Sequence, residues 1–474
     1  MRLPLFTAVV CILMLRSTEA AAHAPPQIWR VARSGSDGRV ALLTNRGIIF
    51  GDAALSDFRF MCNTALGINS SEQPYIAFTS DGRLLASTSA GLQATTDGCS
   101  WQNVPEFGSA STPALAQDAA HPDVLYVSTF SMGRSGIEVS KDGGASWAWL
   151  TKVADNDFIQ EIVLAPSSSK TLYYSGEVFD STGKLAHYVA RSNDAGATFN
   201  RNDVALLSTE ADVTLLAVSP SDPAVLLARA QDGSDSMSMD RLLVSRDGGQ
   251  TFSSPLTVPQ LFTAAFAADG QTVWVASIAG LWRSRDAAAT FQQVPGPNRM
   301  TFVAVPTPGT LSAGGWFGGT MDLDGWAQSS NDGDSFTQLM LFPQITEPVM
   351  CDAASSTAMN CEMLWKDWQY EILKRYDVYG SAAPPPGVTL ADASVTPSVA
   401  DAGAGQDAGA RATDAGTSKA PAPSGAKRAS SCAVLAAGGH AATHGGLLHA
   451  STLWLLLVDA RARRRARMSH DLAA

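Results

Sequence analysis

Six short segments of this chain place a carboxylate between a small hydroxyl residue and a closing aromatic residue at nearly fixed spacing. Carboxylates serve as general acids and bases and as metal ligands, so these aspartates are the first candidates for chemistry. They are Asp97, Asp142, Asp194, Asp247, Asp286 and Asp332. Because the segment recurs along most of the chain, it predicts a repeat fold before it predicts a single active site.

The copies differ in completeness. Three are full: Ser140, Asp142, Gly144 and Trp147; Ser192, Asp194, Gly196 and Phe199; and Ser245, Asp247, Gly249 and Phe252. The copy that begins at Ser284, with Asp286 and Phe291, lacks the second glycine. Two copies are shortened by one residue, the first beginning at Thr95 with Asp97 and Trp101, and the last beginning at Ser330 with Asp332 and Phe336.

The composition of the segment is typical of a tight turn between two β-strands. An aspartate in a turn accepts hydrogen bonds from nearby backbone N–H groups, and glycine adopts the positive φ angles that other residues resist. The closing Trp or Phe begins the next strand and is expected to anchor it in the core. The composition therefore predicts that the six aspartates lie in turns.

Other candidates for catalysis or metal binding are few. Between the N-terminal segment and the linker, the histidines are His23, His121 and His187, and no GxSxG segment is present. The absence of a CxxC pair and the scarcity of histidines argue against a zinc site, and we expect no cofactor. Acidic residues such as Asp155, Asp157, Glu161 and Glu177 could form a catalytic pair, but nothing in the sequence selects them.

The repeats begin at residues 95, 140, 192, 245, 284 and 330. The interval between successive repeats is about the length of one four-stranded propeller blade. The intervening strands are short and bounded by turns, so the prediction is an all-β fold. Residues 27–60 add a strand-rich unit without a repeat segment. We predict a single β-propeller of about seven blades. Eight blades follow if residues 345–379 form their own blade, and six if they complete the first.

Two long polar insertions, residues 176–187 and 231–240, are expected to be loops that carry recognition, with plain solvated hairpins as the alternative. Residues 362–379 contain Trp365, Trp368 and three tyrosines and are expected to supply the closing strands of the ring. Their aromatic side chains are expected to be buried between blades, the alternative being a surface that stacks on sugar rings.

The ends of the chain differ from its middle. Residues 1–22 combine Arg2, an apolar run and small residues, which is typical of a secretory signal peptide. The propeller is predicted over 23–380. Residues 381–430 repeat Asp-Ala-Gly and contain three consecutive prolines, which predicts a disordered linker. Residues 431–474 contain an apolar stretch followed by five arginines, which predicts a membrane anchor or sorting segment.

Charge and cysteine content narrow the functional classes. The chain has a net charge of −11 with its acidic residues concentrated in the propeller, which argues against a nucleic-acid partner. Removing the two ends leaves Cys62, Cys99, Cys351 and Cys361, for which an exported protein predicts two disulfides. Of the three pairings, we favour Cys62–Cys99 and Cys351–Cys361.

The repeat segment resembles the Asp-box, or BNR repeat, of sialidases, sortilin-like receptors and xyloglucan hydrolases. In those proteins the box lies on the hairpin between the last two strands of a propeller blade, so the resemblance implies a structural role on the face away from the usual ligand site. The C-terminal tail resembles the myxobacterial sorting signal MYXO-CTERM, in which a cysteine precedes an apolar span and an arginine cluster. Cys432 is the matching cysteine.

These features favour an exported, monomeric binding module, tethered through its tail or released, with an unknown protein or glycan ligand. The alternative is a glycoside hydrolase of sialidase or xyloglucanase type. Sialidases use an arginine triad and a Tyr–Glu pair, and the adjacent Tyr370 and Glu371 do not supply the paired geometry. An assembly factor like the propellers that stabilise photosystems is a third hypothesis that fits the fold.

Overall fold

The computed structural model of the protein describes residues 25–68, 72–179, 183–233, 238–316, 323–379 and 388–390. Within these ranges, thirty β-strands form seven sheets, each built from four antiparallel strands that follow one another in the chain, and two of the sheets carry one further short strand. The first strands of successive sheets contact one another all the way round, from β25 (Met300–Thr307) back to β1 (Ile28–Arg33). The fold is therefore a seven-bladed β-propeller whose first strands surround a central channel.

The strands of the first four blades alternate regularly with short turns. Blade one contains β1 (Ile28–Arg33), β2 (Val40–Thr44), β3 (Gly47–Gly51) and β4 (Phe58–Cys62). Blade two contains β5 (Tyr75–Phe78), β6 (Leu84–Thr88), β7 (Gly91–Thr95) and β8 (Gln102–Asn103). Blade three contains β9 (Leu115–Gln117), β10 (Leu125–Thr129), β11 (Gly136–Ser140) and β12 (Ala148–Lys152). Blade four contains β13 (Asp157–Leu164), β14 (Leu172–Phe179), β15 (Leu185–Ser192) and β16 (Asn200–Asp203).

The remaining blades follow the same order. Blade five contains β17 (Glu210–Val218), β18 (Leu226–Asp232), β19 (Met239–Ser245) and β20 (Ser253–Pro259). Blade six contains β21 (Leu261–Phe266), β22 (Val273–Ser277), β23 (Gly280–Ser284) and β24 (Gln292–Gln293). Blade seven contains β25 (Met300–Thr307), β26 (Thr310–Gly315), β27 (Gly325–Ser329) and β28 (Phe336–Leu341). Two short strands, β29 (Glu347–Pro348) and β30 (Val388–Leu390), pair in parallel with β4 and β28.

The core lies between neighbouring blades. In blades one, two, three and six the second strand is buried at every residue, for example β2 with the sequence VALLT, whereas a fourth strand such as β16, with the sequence NRND, is largely exposed. A strand that is buried on both faces needs a continuous apolar run, and these sequences supply it. Tyr173 of blade four is fully buried, and its hydroxyl donates to the carbonyl of Pro223 in blade five at 2.6 Å. This bond joins two blades at a site where an unpaired hydroxyl would be costly.

Blades four and five have longer strands than their neighbours at one end of the ring. β10 has five residues, whereas β14 and β15 have eight each and β17 has nine. Most of the insertion predicted as a loop at residues 176–187 therefore continues the hairpin of blade four, with Glu177 paired to His187. The prediction of a loop was wrong there because these polar residues continue the strand pairing beyond the length of the common blade.

Residues 362–379 were predicted as closing strands, which is wrong, because they belong to helix α1 (Ser356–Tyr379). The buried residues Cys361, Trp365, Trp368 and Ile372 recur at helical spacing and face blade one. Trp368 stacks on Phe60 with ring centroids 4.3 Å apart. Trp365 and Trp368 are thus buried on the outside of blade one and not between blades, whereas Tyr370 is exposed.

The ring closes without a shared blade, since β1 to β4 all come from the N-terminal part of the chain. At the closure, the hydroxyl of Thr301 donates to the carbonyl of Ile28 at 2.5 Å, and Gln27 pairs with Trp316. Two 3₁₀ helices, Asn63–Leu66 and Phe342–Gln344, lie near this junction. No helix among the described residues has the length and apolar character needed to cross a membrane.

The disulfide pairing differs from the prediction. Cys62 is bonded to Cys361 and Cys99 to Cys351, so the expected pairs Cys62–Cys99 and Cys351–Cys361 are wrong. The first pair is 299 residues apart in the sequence and the second pair is 252 residues apart. Proximity in sequence was misleading because ring closure brings the segment after blade seven against blades one and two.

Candidate functional site

Each predicted repeat segment lies on the hairpin between the third and fourth strands of its blade, in blades two to seven. In blade three, the Ser140 hydroxyl donates to Asp142 Oδ1 at 2.7 Å and accepts the N–H of Gly144 at 2.8 Å. Asp142 also accepts the N–H of Ser146 at 2.9 Å. The same bonds recur around Asp194, Asp247 and Asp286. These carboxylates hold their own turns together.

The two shortened copies behave differently. In blade two, Asp97 accepts the N–H groups of Cys99 and Ser100 at 2.8 and 3.1 Å, so this turn is one residue shorter. In blade seven, however, Asn331 occupies the aspartate position and accepts the N–H of Ser335 at 3.0 Å. The prediction that Asp332 is the turn acid is wrong. The segment begins at Ser329, one residue earlier than expected, and has full length.

Hydrogen bonding keeps the turn carboxylates ionised. The hydroxyl of Ser146 and, next, its backbone N–H lower the pKa of Asp142 to about 2. Thr198 and Thr251 do the same for Asp194 and Asp247, whose pKa values are also lowered to about 2. A carboxylate so held is a poor general acid or base at neutral pH.

The closing aromatic residues enter the core, as expected of strand anchors. Trp147 meets Phe107 edge to face at 5.1 Å, and Phe199 meets Tyr174 at 4.9 Å. The indole N–H of Trp101 points to the sulfur of Met61. The other three closing residues, Phe252, Phe291 and Phe336, pack in clusters between blades five to seven and their neighbours.

A cluster of polar side chains spans the channel nearer the opposite end. The Tyr75 hydroxyl, on β5, donates a hydrogen bond to Glu161 Oε2, on β13. The guanidinium of Arg30, on β1, lies 3.4 Å from the centre of the Tyr75 ring. Blades two and four are not neighbours in the ring, so their first strands interact only across the channel. We call Arg30, Tyr75, Glu161 and Arg229 the channel cluster.

Strand register explains why three of these residues meet. Arg30, Tyr75 and Glu161 each pair with the fourth residue of the second strand of their blades, Leu43, Ser87 and Ser175. They therefore lie at one level of the channel.

Backbone irregularities contribute to this placement. A register shift directly precedes both Arg30 and Glu161 in their strands. Such β-bulges redirect the side chain that follows, and they are common beside functional sites.

Arg229 extends the channel cluster into blade five. Its guanidinium donates to the carbonyl of Leu261 at 2.7 Å and to Gln231 Oε1 at 3.3 Å. Asp240 lies nearby, accepts the N–H of Leu261 at 2.9 Å, and its pKa is raised by burial and lowered in part by Arg229. Two arginines and one buried glutamate thus form a polar group inside the ring.

Burial decides the protonation of the channel cluster. Glu161 is 7% exposed, and desolvation raises its pKa to about 8, although Arg30 and Arg229 act in the opposite direction. Desolvation also lowers the pKa of Arg30, which Glu161 offsets in part. At neutral pH the cluster carries two guanidinium groups beside a mostly neutral carboxyl group, an arrangement suited to binding an anion.

A second polar group lies on the extended strands of blades four and five. His187 Nδ1 is 3.8 Å from Glu177 Oε2 and 3.9 Å from Asp212 Oδ1. All three side chains are buried, at 8%, 5% and 6% exposure. These three residues form the only group of metal-ligating side chains of this kind within the described residues.

The other acids named from the sequence have local roles. Asp155 accepts the N–H of Gly133 at 3.0 Å on the surface. Asp157 accepts the Tyr188 hydroxyl, and Arg201 lies 3.6 Å away. His121 is exposed and pairs with Asp118 at 3.1 Å. Cys432, His23 and the predicted signal peptide, linker and tail lie outside the described residues, apart from strand β30.

A groove of about 450 Å³ is a separate cavity, lined by Glu106 and by residues of blade three. There, Arg134 binds the buried Glu138 at 2.8 Å, and both Arg134 and Lys152 cover the Trp149 ring. This groove belongs mainly to one blade, whereas the channel cluster joins side chains from four blades and is the stronger candidate.

Sequence reasoning named Glu161 and Glu177 without selecting them, and it missed Arg30, Tyr75 and Arg229. One signal was visible, because Arg30 interrupts the apolar strand Ile28–Arg33. The interactions themselves join residues 45 to 131 positions apart and depend on the ring's closure.

The central blades match one protein-family model. Residues 135–272, from blade three into blade six, match the family model Sortilin-Vps10, described as Sortilin, neurotensin receptor 3. This stretch is similar to a sortilin-type propeller. No protein in the curated comparison matches the chain.

Several solved structures are similar at the level of the ring. YCF48 from Cyanidioschyzon merolae is 14% identical, with 66% of this chain and 97% of that chain covered and a TM-score of 0.41. A Hadza microbial sialidase is 13% identical, with coverages of 59% and 71% and a TM-score of 0.34. The GH74 xyloglucanase from Xanthomonas campestris is 15% identical, with coverages of 65% and 72% and a TM-score of 0.23. At these values the likenesses say nothing about ligand or activity.

Proposed function

We propose that this protein is an exported binding module that takes its ligand at the end of the channel opposite the repeat turns. The observation that carries the proposal is the channel cluster, in which side chains from blades one, two, four and five meet at one place. A stable folded core does not require charged groups in the channel, because burying a charged group costs free energy unless it is paired. A binding role accounts for that cost.

The cluster indicates the chemistry of the ligand. Arg30 and Arg229 are partly exposed, and the carboxyl group beside them is mostly neutral below pH 8. Arginine binds carboxylates in a bidentate manner. We propose a ligand that presents a carboxylate, either an acidic glycan or an acidic side chain of a protein.

The cellular setting is part of the same proposal. Two disulfides fit an oxidising compartment, and the signal peptide read from residues 1–22 fits export. We propose a monomer that is anchored or released at the cell surface through the MYXO-CTERM-like tail with Cys432. An acidic propeller on a long linker would present its ligand face away from a membrane and would not bind nucleic acid.

A panel of carboxylated and neutral glycans, screened with the full-length protein, tests this function. We expect retention of carboxylated members and their loss when Arg30 is replaced in Arg30→Gln. The carboxylate requirement also predicts weaker binding above pH 8, where Glu161 ionises and repels the ligand. Equal binding of neutral and carboxylated members would contradict the proposal.

A glycoside hydrolase of sialidase type is the second candidate, favoured by one specific contact. Tyr75 and Glu161 form the Tyr–Glu pair that the adjacent Tyr370 and Glu371 do not provide, and Arg30 and Arg229 lie beside it. In such a pair the glutamate acts as the base that activates the tyrosine. The alternative thus uses the same residues in a catalytic role.

The two candidates predict opposite pH responses. A hydrolase that needs ionised Glu161 would gain turnover of a sialoside as the pH rises toward 8, and would lose it in Tyr75→Phe. A binding module would retain the glycan without releasing free sugar at any pH. Turnover that disappears in Tyr75→Phe would overturn the first candidate, and retention without turnover would overturn the second.

A further inference from the structure

Glu177, His187 and Asp212 lie on the parts of blades four and five that extend beyond the common blade. The residues that match the five-residue strands β10 and β11 are 172–176 in β14 and 188–192 in β15, counted from the repeat turn. Glu177 and His187 come directly beyond them and pair with each other across the hairpin. Asp212 pairs with Gln231 in the matching extension of blade five. The extra strand length thus brings three metal-ligating side chains together from two blades.

The distances from the His187 ring nitrogen Nδ1 to one oxygen of Glu177 and one of Asp212 suit three ligands of a shared ion. The donor atoms all lie within 4.8 Å of one another, and the imidazole nitrogen is 3.8 and 3.9 Å from the two carboxylate oxygens. Two ligands of one tetrahedral zinc ion, each about 2.1 Å from it, lie about 3.4 Å apart. We propose that Glu177, His187 and Asp212 bind one divalent transition-metal ion, Zn²⁺ in the first instance, between blades four and five.

Charge compensation supports a cation at this place. Glu177 and Asp212 are 5% and 6% exposed, and two neighbouring carboxylates are costly to bury without positive charge. A divalent ion with a neutral imidazole balances the two carboxylates completely.

The donor set selects the kind of metal. One imidazole nitrogen with two carboxylate oxygens is a ligand set typical of zinc, whereas Mg²⁺ and Ca²⁺ prefer oxygen ligands alone. Three protein ligands leave one tetrahedral position for water or for an atom of a ligand. The Tyr188 hydroxyl bonds to Asp157, so this neighbouring acid is already engaged.

Metal binding at this place would tie the two extended blades together. Glu177 and His187 belong to blade four, and Asp212 belongs to the first strand of blade five. A ligand that binds only the folded state stabilises it in proportion to its concentration and affinity. The site is therefore expected to raise the thermal stability of the protein on zinc addition, independently of the channel cluster.

Metal analysis of the full-length protein tests the proposal. After equilibration with Zn²⁺ and removal of excess metal, we expect about one zinc per chain and a higher Tm. The isosteric variants Glu177→Gln and Asp212→Asn, and His187→Gln, should each weaken zinc binding by at least roughly tenfold. Co²⁺ bound in the native protein should show the visible absorption of a tetrahedral site, a readout that needs no variant.

His121→Gln is the matched control, because His121 pairs with a carboxylate at the end of the ring that carries the repeat turns. It should bind zinc like the native protein. Three results would overturn the proposal: no zinc above the level of a metal-free blank, equal zinc retention in the three site variants and the control, or binding of Mg²⁺ or Ca²⁺ alone.

Discussion

The hydroxyl of Tyr75 in blade two donates a hydrogen bond to the carboxyl group of Glu161 in blade four, across the central channel. Since Glu161 is buried beside two arginines, its proton affinity reports directly on the interior of the ring. The titration of Glu161 can therefore be used to probe the channel without knowledge of the ligand.

Glu161 should make stability depend on pH. Folding raises its pKa from 4.5 to about 8, so its contribution is most favourable below pH 4.5 and is lost as the pH rises to about 8. We expect Glu161→Gln, which removes the titration, to lose less stability than the native protein over this range. The difference should exceed about 1 kcal/mol, because the shift exceeds one unit. Denaturant unfolding across the range measures it, and identical pH profiles would contradict the burial of this group.

The turn aspartates should have the opposite dependence on pH. The pKa of Asp142 is lowered from 3.8 to about 2, so its contribution is full above pH 3.8 and is lost as the pH falls through about 2. Asp142→Asn should lower Tm slightly at neutral pH, because Asn331 makes the same turn in blade seven. Asp142→Ala should lower it more, since the N–H of Ser146 loses its acceptor.

Thermal unfolding of both variants at neutral and acidic pH provides the check. The gap between Asp142→Asn and the native protein should close near pH 2. A gap that widens on acidification would mean that the carboxylate does not stabilise its turn.

Ala288 occupies a position where the other full turns have glycine, and its φ is +65°. A left-handed non-glycine residue costs about 1–2 kcal/mol, whereas the buried methyl group contributes about 0.8 kcal/mol. Ala288→Gly should therefore stabilise the protein by up to about 1 kcal/mol. Gly144→Ala in blade three is the reverse experiment, because its φ is +83° and the new methyl group would lie in ordinary contact with its nearest neighbours, at 3.5 Å.

Denaturant unfolding of the two variants should show opposite signs. A destabilised Ala288→Gly would indicate that packing of the methyl group outweighs the backbone cost.

The two disulfides hold the segment after blade seven on the outside of blades one and two. The bridge Cys62–Cys361 closes a loop of 299 residues, for which the chain-entropy relation gives a stabilisation of about 6 kcal/mol. Non-reducing peptide mapping should recover Cys62 with Cys361 and Cys99 with Cys351. The double variant Cys62→Ser/Cys361→Ser should unfold at a much lower temperature, and recovery of Cys62–Cys99 peptides would refute this arrangement of the segment.

How far the sequence predicts this molecule depends on whether the determining contacts are local. Ser140, Asp142 and Gly144 lie within five residues and fix one turn, so their pattern correctly predicted all-β blades and seven of them. Helix α1 was missed because Trp365 and Trp368 were interpreted by aromatic content, although their spacing with Cys361 and Ile372 is helical.

The candidate site was predictable only in part. Glu161 was among the acids named, but Arg30, Tyr75 and Arg229 are selected by strand register and by ring closure, which no local pattern encodes. The start of the turn in blade seven was also not predictable from the sequence. Ser329 and Ser330 are adjacent, and only the hydrogen bonds identify which of them begins the segment.

Binding at the channel cluster is the central claim, and two arginines at opposite ends of the ring test it most directly. Arg30 lies in the channel cluster, whereas Arg246 lies in the repeat turn of blade five and donates to the carbonyl of Ala287 at 2.7 Å. The decisive measurement is the affinity of the full-length protein for the carboxylated glycans that it retains, compared with Arg30→Gln and Arg246→Gln. We expect Arg30→Gln to lose glycan binding and Arg246→Gln to retain glycan binding. Loss in Arg246→Gln with retention in Arg30→Gln would place the ligand on the face of the repeat turns and would contradict the account.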